Sequence, residues 1–427
     1  MANCGALAPN RYSRHISPDP ASPAADCAGA ATYDTLAVMK TEPFRIDVAD
    51  AVLADLQVRL RQTRWPDDVR DAGWRYGTDG AYLRELVDYW LQRFDWRAQE
   101  AALNRFAHFR ATVDGFGLHF IHERGRGTER PLPLLISHGW PGSFVEFTDI
   151  IGPLTDPAAH GGDAADAFDV VVPSLPGYGF SDRPHETGMD VMRVAALFAQ
   201  LMEGLSYTRW GAQGGDWGAA ISTALGTAFS DRVCGIHLNM LIGARRENAD
   251  PASLSESERR ALERFERFQS EEAGYMQIQG TKPQTLGYAL NDSPAGLAAW
   301  IVEKFRAWSD CGGDVERRFS KDRLLTNVTL YWVTQTINSS MRLYYETMHN
   351  PALRGGLRGQ SDSVFRVAVP TAAAIFPAEI YTPPRTWAER TYNITRWTEM
   401  PAGGHFAAME EPAALVEDIR AFFRPLR

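Results

Sequence analysis

The feature that most constrains this chain is a five-residue bend, Gly214-Gly215-Asp216-Trp217-Gly218, between two runs of opposite character. Before it, Thr208–Ala212 reads as a short strand. After it, residues 217–229 carry apolar positions at helical spacing. A strand that must become a helix within so few residues forces its central residue into a strained backbone, and small neighbours let strand and helix approach. The surrounding pattern repeats the alternation. Leu118-His119-Phe120-Ile121, Leu132–Ile136, Phe168–Val172, Val233–Met240 and Val364–Phe376 read as strands, with helices predicted at 190–204 and 412–423. Strands alternating with helices predict a mostly parallel, doubly wound sheet.

Two segments depart from the alternation. Residues 245–360 are dominated by helical patterns and hold many aromatics, among them Tyr275, Tyr288, Trp300, Trp308, Tyr331, Trp332, Tyr344 and Tyr345. An insertion between two halves of a sheet predicts a helical cap over a site. At the other end, 44–63 carries Val52, Leu53, Leu56 and Leu60 at helical spacing, stopped by Trp65-Pro66-Asp67-Asp68. A second helix at 80–93 places Leu83, Leu86, Val87 and Trp90 on one face. The expected division is therefore a tail over 1–40, an N-terminal helical extension over 41–115, a core over 116–244, a cap over 245–360 and the rest of the core over 361–427. The tail is rich in Ala, Pro and Ser and holds no apolar run of signal-peptide or anchor length. Met39 is the expected start of the native chain.

Composition excludes some partners. The net charge is −9, with bases mixed among acids, as at Asp314, Glu316, Arg317 and Arg318. Nucleic acid, which demands a basic face, is not an expected partner. The four cysteines, Cys4, Cys27, Cys234 and Cys311, have neither metal-ligand nor CxxC spacing. No metal and no disulfide framework is expected, and a reducing cytoplasm fits.

Three motifs carry chemistry. In the bend, Asp216 stands where an α/β-hydrolase elbow presents its nucleophile. Read alone, it is equally a helix N-cap, a position aspartate favours. His138-Gly139-Trp140-Pro141-Gly142 follows Leu132–Ile136, where this fold supplies an oxyanion-binding amide. Trp140 and Trp217 would then each donate a backbone N–H, although the motif alone also suits an ordinary turn. Gly403-Gly404-His405-Phe406 precedes the last helix. A lone histidine is more often structural, but nucleophile, acid, histidine is the chain order expected of this fold. Glu379, after the strand ending near Ile375, is the chosen acid. Asp362 is the rival, and it precedes its strand. The position after Val233–Met240 offers Asn239 and no carboxylate before Glu247.

An aspartate nucleophile changes the reaction. A carboxylate has no proton to lose and can displace a leaving group at a saturated carbon, leaving an ester on the enzyme. His405, oriented by Glu379, is then free to activate water against that ester. A halide or a ring-opened epoxide oxygen could be the leaving group. The second is strongly basic and calls for an acid such as a tyrosine hydroxyl.

The same residues resemble the epoxide hydrolases of the microsomal type. The resemblance runs from Pro43 to the C-terminus. It includes the PFRI…DL…RL…TRWPD segment, HGWPGSFVEF at 138–147, PSLPGYGFSDRP at 173–184 and GAQGGDWG at 211–218. It continues through GYMQIQGTKPQTLGYALNDSPAGLAAWI at 274–301, LLTNVTLYW at 324–332 and GGHFAAMEEP at 403–412. It implies that Tyr275 and Tyr344 form the epoxide-activating pair, with Tyr345 as the one-residue alternative, and it favours Glu379 through its FPxE context. Hydrolysis of an apolar epoxide to a vicinal diol is the expected activity, with water as the other reactant and no cofactor. The hydrophobic membrane anchor of the microsomal members has no counterpart here, so no anchor and a cytoplasmic location are expected. A homo-oligomer is compatible with everything above. Haloalkane dehalogenation is the competing chemistry, and a non-catalytic binding protein on the same scaffold is the competing class.

Overall fold

The computed structural model describes residues 39–241, 253–353 and 366–427. Among the described residues, nine strands form one sheet. In chain order they are β1 (Thr41–Phe44), β2 (His108–Val113), β3 (Phe116–Glu123), β4 (Leu132–Ser137), β5 (Phe168–Pro173), β6 (Trp210–Gly214), β7 (Val233–Leu238), β8 (Val367–Ile375) and β9 (Tyr392–Glu399). Their spatial order is β1-β2-β3-β5-β4-β6-β7-β8-β9. The first three pairings, as far as β3 with β5, are antiparallel, and every pairing from β5 to β9 is parallel. Strands β4 and β5 are apolar almost throughout because helices cover both faces. One core cluster centres on Phe198, Trp210 and Ile221, and the other on Phe168, Ile150 and Phe423.

The N-terminal segment contains the expected helices, α1 (Asp50–Arg61) and α2 (Gly80–Gln92), and a third, α3 (Trp96–Leu103). It also contributes β1 and β2 to the sheet. Helix α1 starts six residues later than the pattern predicts, because Ile46 and Val48 are buried in extended chain. The Asn104 side chain bonds both Ile46 N and Ile46 O, at 2.9 and 2.8 Å, and Glu100 Oε1 accepts from Val48 N at 2.8 Å. Those side chains satisfy a backbone that a helix would otherwise have paired. The helix also ends at Arg61, before Trp65-Pro66. Helix α2 is capped by Asp79, whose carboxylate accepts from Tyr82 N, and it buries Leu86, Val87 and Trp90.

The strand expected at Thr208–Ala212 lies two residues further on, at Trp210–Gly214. Its register with β4, Leu134 to Gly211 and Ser137 to Gly214, carries it right up to the bend. Strand β9 has half-exposed, mixed positions and no clear alternation, so it escaped the sequence pattern. The first residues of the expected strand at Val364, the rival acid Asp362, Glu247 and the tail over 1–38 lie outside the described residues.

Between β7 and β8 the chain forms six helices among the described residues: Glu256–Glu271, Gly274–Thr281, Pro283–Leu290, Pro294–Ala307, Lys321–Thr334 and Ile337–His349. They are fastened to the loops at the carboxyl ends of β4 and β5. Asn327 Nδ2 donates to Pro141 O at 2.8 Å, and Tyr331 Oη donates to Gly142 O at 2.7 Å. Ser339 Oγ donates to Gly177 O at 2.5 Å. No described helix is long and apolar enough to cross a membrane.

Candidate active site

The bend after β6 is built by close approach. A Cβ at Gly218 would stand 1.8 Å from Ser137 O on β4, so only glycine allows the helix Asp216–Ala228 to start against the neighbouring strand. Asp216 takes φ +48°, a left-handed conformation that costs a non-glycine residue about 1–3 kcal/mol. Gly215 occupies the helix cap. The Asp216 carboxylate turns instead to a different loop, where Trp140 N donates to Oδ1 at 2.8 Å. The Trp140–Pro141 peptide bond is cis. Trp217 is the next residue, and its amide lies in a first turn whose N–H groups have no intrahelical acceptor.

His405 faces the other carboxylate oxygen, with Nε2 3.5 Å from Asp216 Oδ2. Its Nδ1 lies 2.7 Å from Glu379 Oε1. Histidine and glutamate are both buried. Their loops are tied by a bridge between Ala378 and Gly404 and by Ala378 N donating to Gly403 O at 3.1 Å. Glu379 is fixed in turn by Ile380 N donating to its Oε1 at 2.7 Å. Burial alone would lower the His405 pKa. The charge of Glu379, with the bonds to both carboxylates, outweighs it and holds the imidazole well above its ordinary value. The ring thus sits between two carboxyl groups that favour its charged form. Asn239, at the alternative position for the acid after β7, accepts from Gln213 Nε2 at 2.9 Å.

Tyr275 and Tyr344 are buried together from two helices of the insertion, with ring centroids 5.9 Å apart. Tyr275 stacks on Trp140 at 5.0 Å, and Tyr344 meets the edge of Trp217 at 4.7 Å. Burial raises both phenol pKa values; the Asp216 charge adds to it at Tyr275, and the other tyrosine and Asp216 add to it at Tyr344. Both remain neutral O–H donors at ordinary pH. Tyr345 points elsewhere, stacked on His349 at 4.0 Å.

The structure thus brings Asp216, Trp140, Trp217, Glu379, His405, Tyr275 and Tyr344 into one place. It adds residues that sequence reasoning missed. Trp308 O accepts from His405 N at 2.9 Å, and its indole meets the imidazole edge at 5.1 Å. Lys304 Nζ lies 5.1 Å from the Tyr275 ring centre, paired with Glu303 at 2.7 Å. Glu146 lines a small cavity with Asp216 and His405. It is the lone carboxylate in HGWPGSFVEF, a signal that could have found it. No group of three or more His, Cys, Asp or Glu that could hold a metal occurs among the described residues.

A doubly wound sheet with an elbow aspartate, a histidine and a late acid defines a hydrolase of the α/β-hydrolase fold, and the model of that fold matches residues 133–275. The model described as "Epoxide hydrolase N terminus" matches residues 41–147. Epoxide hydrolase 1 of Sus scrofa is 39% identical over 406 residues, covering 89% of this chain and 88% of its own. The solved epoxide hydrolase of Aspergillus niger superposes with a TM-score of 0.81 at 31% identity, covering 92% of this chain and 98% of that one. The juvenile hormone epoxide hydrolase of Bombyx mori gives 0.81 at 30% identity, covering 91% and 95%. The chain belongs to the epoxide hydrolases, of the microsomal type.

Proposed function

We propose that this hydrolase opens an apolar epoxide through an alkyl ester on Asp216 and releases a vicinal diol. The observation that carries the reading is the unequal treatment of the two Asp216 oxygens. Trp140 N holds Oδ1, while Oδ2 is left beside His405 Nε2. Oδ2 attacks an epoxide carbon, the C–O bond breaks, and a hydroxyl of the Tyr275–Tyr344 pair gives its proton to the departing oxygen. Esterification removes the Asp216 charge and with it part of what keeps His405 protonated. The imidazolium proton returns to the tyrosinate, and neutral His405 becomes a base. Water then attacks Asp216 Cγ while Nε2 takes one of its protons. Negative charge develops on Oδ1, which already accepts from Trp140 N, so the donor needs no reorganisation. The Cγ–Oδ2 bond breaks and the diol leaves with Oδ2. The helical insertion acts as a cap that keeps bulk water from the tyrosines.

A single turnover in heavy-oxygen water tests this sequence. The first diol should be unlabelled, and the label should appear in the Asp216 peptide. A labelled first diol with unlabelled Asp216 would mean direct attack by water. Replacing His405 by glutamine should leave the ester in place for mass spectrometry, with turnover reduced by at least about 100-fold.

A further inference from the structure

Asp216 and Glu379 bracket His405 in the ester sequence, and a third carboxyl group lines a cavity with Asp216 and His405. The third, Glu146, belongs to the short 3₁₀ turn Phe144–Phe147, which is capped by Ser143. Its place depends on Gly142. A Cβ there would stand 1.6 Å from Glu146 Oε1, so glycine leaves the room into which the carboxyl folds back over the β4 loop. The side chain is half-buried, and it borders a cavity of about 20 Å³ that Trp140, Asp216, Asn239 and His405 also line. That volume suits one water molecule, and Glu146, Asp216, Asn239 and His405 bring polar groups to a wall that is otherwise mostly apolar. Tyr275 and Tyr344 do not line this cavity, so it is distinct from the space where the epoxide oxygen would meet its acids.

We propose that Glu146 positions the water that hydrolyses the Asp216 ester, its carboxyl oxygen accepting that water's second O–H while His405 Nε2 takes the first. The inference rests on the ester reading above. As the water oxygen bonds to Cγ, the proton it keeps stays on the adduct, held toward Glu146. It passes to the leaving diol oxygen when Cγ–Oδ2 breaks, and Glu146 undergoes no net change of protonation. Burial pushes the Glu146 pKa up to about 8; the His405 charge opposes the shift and Asp216 adds to it. At neutral pH the group is mostly the uncharged acid. It can therefore accept a hydrogen bond through its carbonyl oxygen without repelling the oxyanion forming on Asp216.

The test separates the two chemical steps, using the full chain and styrene oxide, the simplest aryl epoxide. Rapid quenching and mass spectrometry of the Asp216 peptide follow ester formation and ester loss. Glu146→Leu removes the acceptor at similar volume. It should leave ester formation within about twofold and slow ester loss by about 100-fold, so that the ester accumulates. Glu146→Gln keeps a carbonyl acceptor and should restore ester loss to within a few fold at pH 7. A structural role would slow both steps together in the leucine variant. Equal slowing of both steps, wild-type ester loss in the leucine variant, or a glutamine variant as slow as leucine would each overturn the assignment. Absence of any ester in wild-type enzyme and in the His405→Gln variant would instead remove the ester reading itself.

Discussion

At the scale of residues, the candidate site divides according to how each group is tied to the chain. Asp216, Trp140 and His405 sit in glycine-rich turns at the ends of strands, where the backbone demands announce themselves in the sequence. Glu379 follows a strand and could be chosen by order. Tyr275 and Tyr344 sit inside helices, where aromatic residues normally serve the core, and spacing gave no reason to prefer them among the aromatics of 245–360. Only the family resemblance singled them out. Geometry now separates Tyr344 from its neighbour, since Tyr344 lies against Trp217 and Tyr345 against His349. The proposed roles predict that Tyr344→Phe slows ester formation by about 10- to 100-fold, the worth of one hydrogen bond to a developing charge. Tyr345→Phe should leave it unchanged. Stopped-flow measurement of the alkylation phase checks both, and equal effects from the two variants would exclude the assignment. Glu146 was overlooked because a carboxylate one turn beyond a conspicuous motif resembles any surface glutamate until Gly142 shows where it folds.

At the scale of elements, β4, β5 and β7 were legible because near-complete burial makes them nearly continuous apolar runs. Strands β1, β2 and β9 were not. β1 has only four residues, with Pro43 among them, and the mixed burial along β9 hides any two-residue period. Extended chain at Ile46 and Val48 depends on Asn104 and Glu100, partners more than fifty residues away that no local pattern can anticipate. The bend was the most legible element, and its tolerance can be predicted. At Gly218 an added methyl would meet Ser137 O, a backbone atom fixed by the β4–β6 pairing, so rotamer changes cannot relieve it. Gly218→Ala should cost about 3 kcal/mol or displace the elbow. Urea unfolding would register the first outcome, and loss of ester formation at unchanged stability the second. An alanine variant with wild-type stability and wild-type ester formation would show that the contact is looser than the geometry requires.

At the scale of the whole molecule, the antiparallel and parallel halves of the sheet are joined by neutral histidines. His108 Nδ1 lies 2.9 Å from His119 Nε2, and His119 Nδ1 lies 2.9 Å from Ser174 Oγ, linking β2, β3 and the loop after β5. His138 extends the link to the loop after β4, because Leu175 N donates to its Nε2 at 3.2 Å. That bond occupies the nitrogen a second proton would need. Burial lowers the pKa of all three; at His138 the value reaches about 4, against an ordinary 6.5. For a histidine whose folded pKa is depressed, stability is complete above the unfolded pKa. It is lost as pH falls from there toward the folded value, because the unfolded chain takes up a proton that the folded one refuses. At about 1.4 kcal/mol per unit, His138 alone should cost about 3 kcal/mol between pH 6.5 and 4. Two carboxyls act in the opposite sense. Burial raises Glu146 to about 8 and Glu410 to about 7, so the folded state gains protons first as pH falls, and both add stability on acidification. The net profile mixes these contributions, but comparison with a His138→Asn variant isolates one of them. Whatever the variant costs at pH 7.5, its unfolding free energy should fall less steeply than wild type below pH 6.5. The gap between the two curves should therefore close by about 3 kcal/mol by pH 4. Urea titrations at half-unit intervals measure that gap, and parallel curves would mean that His138 is protonated as readily in the folded chain as in the unfolded one.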